Sequence, residues 1–191
     1  MKNSKIKKLT TCAVMLALSF VLSFVKIYEF PFGGSITLLS MLPICLVSIK
    51  YGLGWGFSTA FCYSLLQFFV DLGKAMSWGL TAKAWVGMII FDYLLAFTAL
   101  GIAGLFRKRG RAGHCLGVAL AIVARFISSV LSGAIVWESV GEIFGLNITN
   151  TWVYSLLYNG AYMLPELAIT CTAIIIMTSV TAFSKLIKPE N

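Results

Sequence analysis

Asp92 is a carboxylate set in the middle of a long apolar run, residues 84–106. A charge at the centre of a membrane helix costs ~2.5–3.5 kcal/mol on insertion scales, so such a group normally faces a bundle interior and does a job there. Counting inward at one helical rise per residue places other chemistry-bearing side chains beside it. Asp92 lies eight residues from Ala84, and Ser129 lies eight residues before Trp137; both offsets are roughly 12 Å. Asn159 lies seven residues in from Trp152, at a similar level. Tyr93 follows Asp92, Trp137 and Tyr154 sit nearer the mouth, and Tyr63 reaches a comparable or slightly greater depth in its own run. An acid ringed by aromatics suits an organic cation, which the carboxylate neutralises and the ring faces attract.

Every member of this set has a plainer role when taken alone. Asp92 can hydrogen-bond a neighbouring helix, Asn159 can be interhelical glue, and the tyrosines and Trp137 can be packing or interfacial residues. The coincidence in depth is what favours a site. Deeper still lie two more intramembrane charges, Arg125 and Glu166. Their opposite signs allow them to pair and offset each other's burial, and this structural role is favoured over direct contact with a ligand.

The elements that must hold these residues are membrane helices. The chain has 59% hydrophobic and 12% charged residues, against about 25% charged in soluble domains. Its 191 residues leave no room between apolar runs for a second, soluble domain. The spacing predicts an all-α integral membrane protein, one domain over 1–191, with six transmembrane helices at about 9–26, 35–51, 53–72, 84–106, 114–137 and 152–184. Pro43 predicts a kink in the second, and the last is long enough to tilt or to run on into water. The net charge of +8 comes from short clusters between runs, a topogenic pattern and not a nucleic-acid stripe. Lys2, Lys5, Lys7 and Lys8, then Lys50, then Arg107, Lys108, Arg109 and Arg111, then Lys185 and Lys188 all fall on one side. Both termini are therefore expected in the cytoplasm of a plasma-membrane protein, and the shared level of polar groups should open outward. The first outer link, with Phe30, Pro31, Phe32, Gly33 and Gly34, reads equally as a lid over a cavity or as an interfacial turn.

Several chemistries have no sequence basis. His114 is the only histidine, the five cysteines show no C-x-x-C spacing, and no phosphate-binding glycine loop occurs. Metal and cofactor chemistry and ATP hydrolysis within this chain are therefore not expected. With no internal repeat either, a small binder of this kind borrows its driving force from a partner. Ala13 and Ala17, one turn apart on the first helix, permit close approach of another helix; internal packing explains them equally.

The chain resembles the thiamine-specific substrate-binding components (S components) of energy-coupling factor transporters. The resemblance rests on Gly33-Gly34-Ser35-Ile36-Thr37 before Met41-Leu42-Pro43-Ile44, and on Asp92-Tyr93 before Leu100-Gly101-Ile102-Ala103-Gly104. Ser132-Gly133 with Trp137, Tyr154-Ser155 through Asn159-Gly160, and Pro165-Glu166 complete it. It implies capture of thiamine from outside, with an acid at Asp92 facing the cationic thiazolium. Tyr63 and Trp137 would stack on the rings, Tyr154 and Asn159 would contact the pyrimidine edge, and Tyr93 and Ser129 complete the set. It also implies that Ala13 and Ala17 dock on a transmembrane scaffold protein carrying two ATPase subunits. Some members carry Glu at Asp92, His at Ser129 and Trp at Gly34, so a thiamine precursor or related cationic heterocycle stays open as ligand. A membrane enzyme using Asp92, Arg125 and Glu166 is the reading from another class.

Overall fold

The structure is a computed structural model that describes residues 2–30, 33–143 and 145–190; Pro31 and Phe32 of the expected lid lie outside the described residues. In chain order it comprises α1 (Lys2–Ser23), a hairpin of β1 (Lys26–Glu29) and β2 (Ser35–Thr37), α2 (Leu42–Tyr51) and α3 (Leu53–Ser77). Next come α4 (Ala82–Gly104), α5 (Gly110–Ile135), a hairpin of β3 (Gly141–Ile143) and β4 (Leu146–Ile148), α6 (Thr151–Ser179) and α7 (Thr181–Ile187). Among the described residues five helices, α1 and α3 to α6, are long and apolar enough to cross a membrane.

The sixth expected span, 35–51, does not form as one helix. Its first residues pair with β1 in an antiparallel hairpin, and Leu39 turns the chain with a positive φ of 61°. The helix starts only at Leu42, with Pro43 in its first turn. There the missing proline N–H leaves no bond unmade, so Pro43 initiates α2 and does not kink it. The ten residues of α2 rise about 15 Å, half of the ~30 Å hydrocarbon core. The expected all-α chain thus carries two short hairpins. The last apolar run also divides: α6 stops at Ser179, Val180 is extended (ψ 120°), and α7 follows.

Packing is inside-out relative to a soluble protein only at its surface. Tyr63, Met41, Ile44, Ile49, Met88 and Leu100 are fully buried, while Val14, Phe69, Leu164 and Ile175 stand exposed where lipid would cover them. At one end of the bundle Gly52, with φ +93°, makes the abrupt reversal between α2 and α3. The same end gathers the C-terminal tail. Arg107 donates to the carbonyls of Lys50 (3.2 Å) and Glu190 (3.1 Å), and the Glu190 amide donates to Lys50 (2.8 Å).

α2 fixes the tilt of α4 through one close crossing. Ser48 Oγ donates to the Gly101 carbonyl (2.5 Å) and accepts from the Gly104 amide (2.9 Å). A Cβ on Gly104 would strike the Ser48 backbone carbonyl. Gly104→Val is expected to lower stability by about 1–3 kcal/mol through overpacking. Ser48→Ala should cost about 1–3 kcal/mol by stranding buried backbone groups. Thermal unfolding in detergent checks both; unchanged midpoints would mean that α2 and α4 do not meet here.

Candidate ligand-binding cavity

At the opposite end, α3 to α6 and the β1–β2 hairpin enclose a cavity of about 370 Å³. Asp92 and Tyr93 both line it, although neighbours in a regular helix diverge. The local reason is a π-helical turn over Ile89–Leu95, where the widened winding changes the aim of successive side chains. Asp92 Oδ2 accepts hydrogen bonds from Ser132 Oγ (2.7 Å) and Trp137 Nε1 (2.9 Å). Among the described residues no ion pair reaches this carboxylate and no donor holds its other oxygen.

Trp137 reaches Asp92 because α5 ends early. The Trp137 amide bonds back to the Ser132 carbonyl (3.1 Å), and Glu138 reverses the chain at a φ of 45°. The indole then meets Trp78 edge to face, with centroids 5.4 Å apart. Across the cavity α6 presents Tyr154, Tyr158 and Tyr162 at helical spacing, with centroid steps of 6.2 and 5.9 Å. Asn159 Oδ1 accepts from the Tyr162 hydroxyl (2.5 Å), and its Nδ2 donates to Ser155 (carbonyl 2.9 Å, Oγ 3.2 Å) and to the Ser129 carbonyl (3.3 Å). It therefore ties α5 to α6 while lining the cavity.

The hairpin forms the remaining wall. The Gly34 amide donates to the Tyr158 hydroxyl (3.2 Å), and a Cβ at Gly34 would come within 2.8–2.9 Å of Tyr162 and Tyr158. Phe30 lies 6.1–6.2 Å from the same two rings, and Gly33 lines the cavity beside Trp78. Thr37 donates to Glu166 Oε1 through both its amide (2.5 Å) and its hydroxyl (2.6 Å). At the rim, Glu29 Oε1 accepts from Lys74 (2.6 Å) and Lys26 (2.9 Å). The Lys74 ammonium first, then that of Lys26, holds the Glu29 carboxyl below the usual carboxylate range.

Of the residues singled out from the sequence, Asp92, Tyr93, Ser129, Trp137, Tyr154 and Asn159 converge on this cavity. Tyr63 does not: it is fully buried behind the wall, its ring against Phe97 (5.4 Å) and its hydroxyl accepting from Gln67 (2.8 Å). Arg125 and Glu166 line the inner end but form no ion pair with each other. Thr37 holds one oxygen of the Glu166 carboxylate, while the Arg125 guanidinium lies 4.2 Å over the Phe97 ring and contacts Met41 Sδ (2.8 Å). Ala13 and Ala17 are exposed on α1, whereas Ser19 and Ser23, at the same spacing, are buried against the bundle. Counting depth missed Ser132, which holds Asp92, and the stripe Tyr158–Tyr162, whose four-residue spacing from Tyr154 was its available signal.

The family model described as "Thiamine transporter protein (Thia_YuaJ)" matches residues 9–186. The chain is 29% identical to "Thiamine transporter ThiT" of Bacillus subtilis (strain 168), covering 100% of this chain and 98% of that one. It is 24% identical to the thiamine transporter ThiT of Lacticaseibacillus paracasei, over 73% of this chain and 71% of the relative. A solved structure of ThiT from Listeria monocytogenes has the same fold, with a TM-score of 0.74 at 24% identity, covering 97% of this chain and 100% of that one. The solved S component of a bacterial ECF transporter superposes with a TM-score of 0.55 at 19% identity, over 95% and 96% of the two chains.

The rim cluster should hold the hairpin only while Glu29 is ionised. Its contribution is complete above the ordinary glutamate pKa of about 4.3 and disappears as pH falls through the lowered value of the folded state. Glu29→Gln at pH 7 is expected to speed amide exchange of Gly34 and its neighbours severalfold, with the helices unchanged. Raised salt should do the same to the wild type, because the pair is exposed. Unaltered exchange would mean that Tyr158 and Glu166 alone retain the hairpin.

Proposed function

The chain belongs to the thiamine transporter protein family, and we propose that it is the substrate-capture subunit, or S component, of an energy-coupling factor transporter. It is a multi-pass membrane protein that binds thiamine and is not an enzyme. ATP hydrolysis resides in two partner ATPase subunits, joined to it by a transmembrane scaffold protein. The alternative of a membrane enzyme built on Asp92, Arg125 and Glu166 yields to a family of transporters.

The observation that carries the site reading is the Asp92 carboxylate. Protein donors anchor one of its oxygens, and no cation of the described chain is paired with it. The thiazolium of thiamine supplies the missing positive charge, between Trp137 and the tyrosine face of α6. Tyr93, Ser129, Tyr154 and Asn159 contribute the remaining polar contacts, and Tyr63 supports Phe97 from behind. The β1–β2 hairpin, with Phe30, Gly33 and Gly34 against the α6 tyrosines and Trp78, serves as the lid. Thiamine is favoured over its precursors because the acid calls for a permanent cation, which the isolated pyrimidine lacks.

The orientation has both termini cytoplasmic, with residues 1–191 forming one domain. Lys50, Arg107 and Glu190 meet at one end, while the cavity lies at the other, which supports that alternation. The hairpin and short α2 together make the sixth crossing, from the outer rim to the Gly52 turn. Ala13 and Ala17 form the docking face for the scaffold.

Asp92→Asn is expected to weaken thiamine binding about 10- to 100-fold, the worth of a charge-assisted contact. Affinity for deazathiamine, whose thiophene ring is uncharged, should hardly change. Tryptophan quenching by each ligand in detergent measures this, and equal losses for both ligands would remove the cation contact from Asp92. Ala13→Trp is expected to abolish thiamine uptake by the assembled transporter while leaving thiamine affinity within about twofold, because interface surplus and cavity contacts are separate. Persisting uptake would remove α1 as the docking face.

A further inference from the structure

Asp71 stands at the edge of its apolar run, which the sequence reads as 53–72. The helix continues to Ser77, so Asp71 sits within α3, ahead of its last turn, and lines the cavity. Its Oδ2 accepts from the Tyr93 hydroxyl at 3.2 Å. The neighbouring rim ammonium groups do not claim this carboxylate, since Lys26 and Lys74 both bond to Glu29.

Resting on the thiamine-binding reading above, we propose that Asp71 is a positioning residue that sets the hydrogen-bond polarity of Tyr93 and thereby selects a substrate with a donor beside its cation. An ionised carboxylate can only accept, so the phenolic proton is committed to Asp71. The Tyr93 oxygen is then left to face the cavity as an acceptor. The ring cannot swing to another arrangement, because Phe68 packs edge-on at 5.5 Å and Phe97 stacks at 6.3 Å. Tyr93 and Asp92 line the same cavity through the widened turn, so the group that meets Tyr93 belongs to the ligand whose cation meets Asp92. In thiamine that group is the hydroxyl of the hydroxyethyl arm on the thiazolium. A hydroxyl, a donor by chemical class, fits this acceptor; a halide or ether at the same place has no proton to give.

The test compares thiamine with its 2-chloroethyl analogue, which keeps the cation but has no hydroxyl proton, by titration of the purified full-length chain. The wild type should bind thiamine about tenfold more tightly than the analogue, as one buried hydrogen bond allows. That ratio should fall toward one in Asp71→Leu, which has no acceptor for the phenolic proton, and in Tyr93→Phe, and return in Asp71→Glu, which keeps the acceptor. The Asp71→Leu, Tyr93→Phe double variant should bind thiamine no more weakly than Tyr93→Phe alone, because Asp71 acts through Tyr93. A tenfold ratio that survives in Asp71→Leu, or losses that add in the double variant, would overturn the assignment. If Asp71→Leu does not fold, a ratio unchanged in Tyr93→Phe overturns it equally. Absence of thiamine binding by the wild type would instead remove the reading on which the assignment rests.

Discussion

One carboxylate at membrane depth imposes most of what surrounds it. Holding Asp92 ionised there costs ~2.5–3.5 kcal/mol, and a hydrogen bond to a charged group returns about 1.5–3 kcal/mol. Two such bonds, from Ser132 and Trp137, therefore offset that cost on the same scale, with no counter-ion paired to the acid among the described residues. That balance dictates local form. α4 must widen into a π turn to present Asp92 and Tyr93 to the same cavity, and α5 must end early so that Trp137 can fold back. A negative charge stabilised by neutral donors still attracts a cation, which is the property a capture protein for thiamine requires.

The hairpin depends on the same end of the bundle but through weaker, separable ties. Gly34 approaches Tyr158 and Tyr162 so closely that no side chain fits between, and Thr37 is bonded twice to Glu166. The Thr37 bonds are buried and the Gly34 bond is part-buried, whereas the Glu29 cluster at the rim is exposed and screened. The wall thus has a firm inner seam and a loose outer one. This division suits a lid, whose outer edge must part from α3 without the bundle coming undone. The far end is built differently, with the C-terminal tail tied to the α2–α3 turn through Arg107, so a movement at the rim need not disturb it.

Depth counting worked where helices ran straight from a recognisable end and failed where they did not. Asp92, Asn159 and Trp137 were legible because each lies on a long apolar run with a clear boundary. Ser129 was counted to the level of Asp92, yet Ser132 makes the contact, because α5 stops at Ile135 and Trp137 turns back. Tyr63 was at the right depth on the wrong face, since depth along an axis carries no information about rotation around it. Arg125 and Glu166 had complementary charge but found other partners first, Phe97 and Thr37, which no pairwise count of charges reveals.

Composition and the spacing of apolar runs by themselves determined a membrane protein of long helices, the gathering of most of its basic residues into alternate links, and the presence of an intramembrane acid among aromatics. These follow from transfer free energies, which depend only on residue type and on run length. The tertiary structure alone decided that 35–37 joins a hairpin and does not extend α2, that Asp71 belongs to the cavity, and which donors hold Asp92. These are contacts between segments far apart in the chain. They rest on helix rotation, on where a helix terminates, and on competition among several hydrogen-bond partners, and none of these has a local sequence signature strong enough to be read in advance.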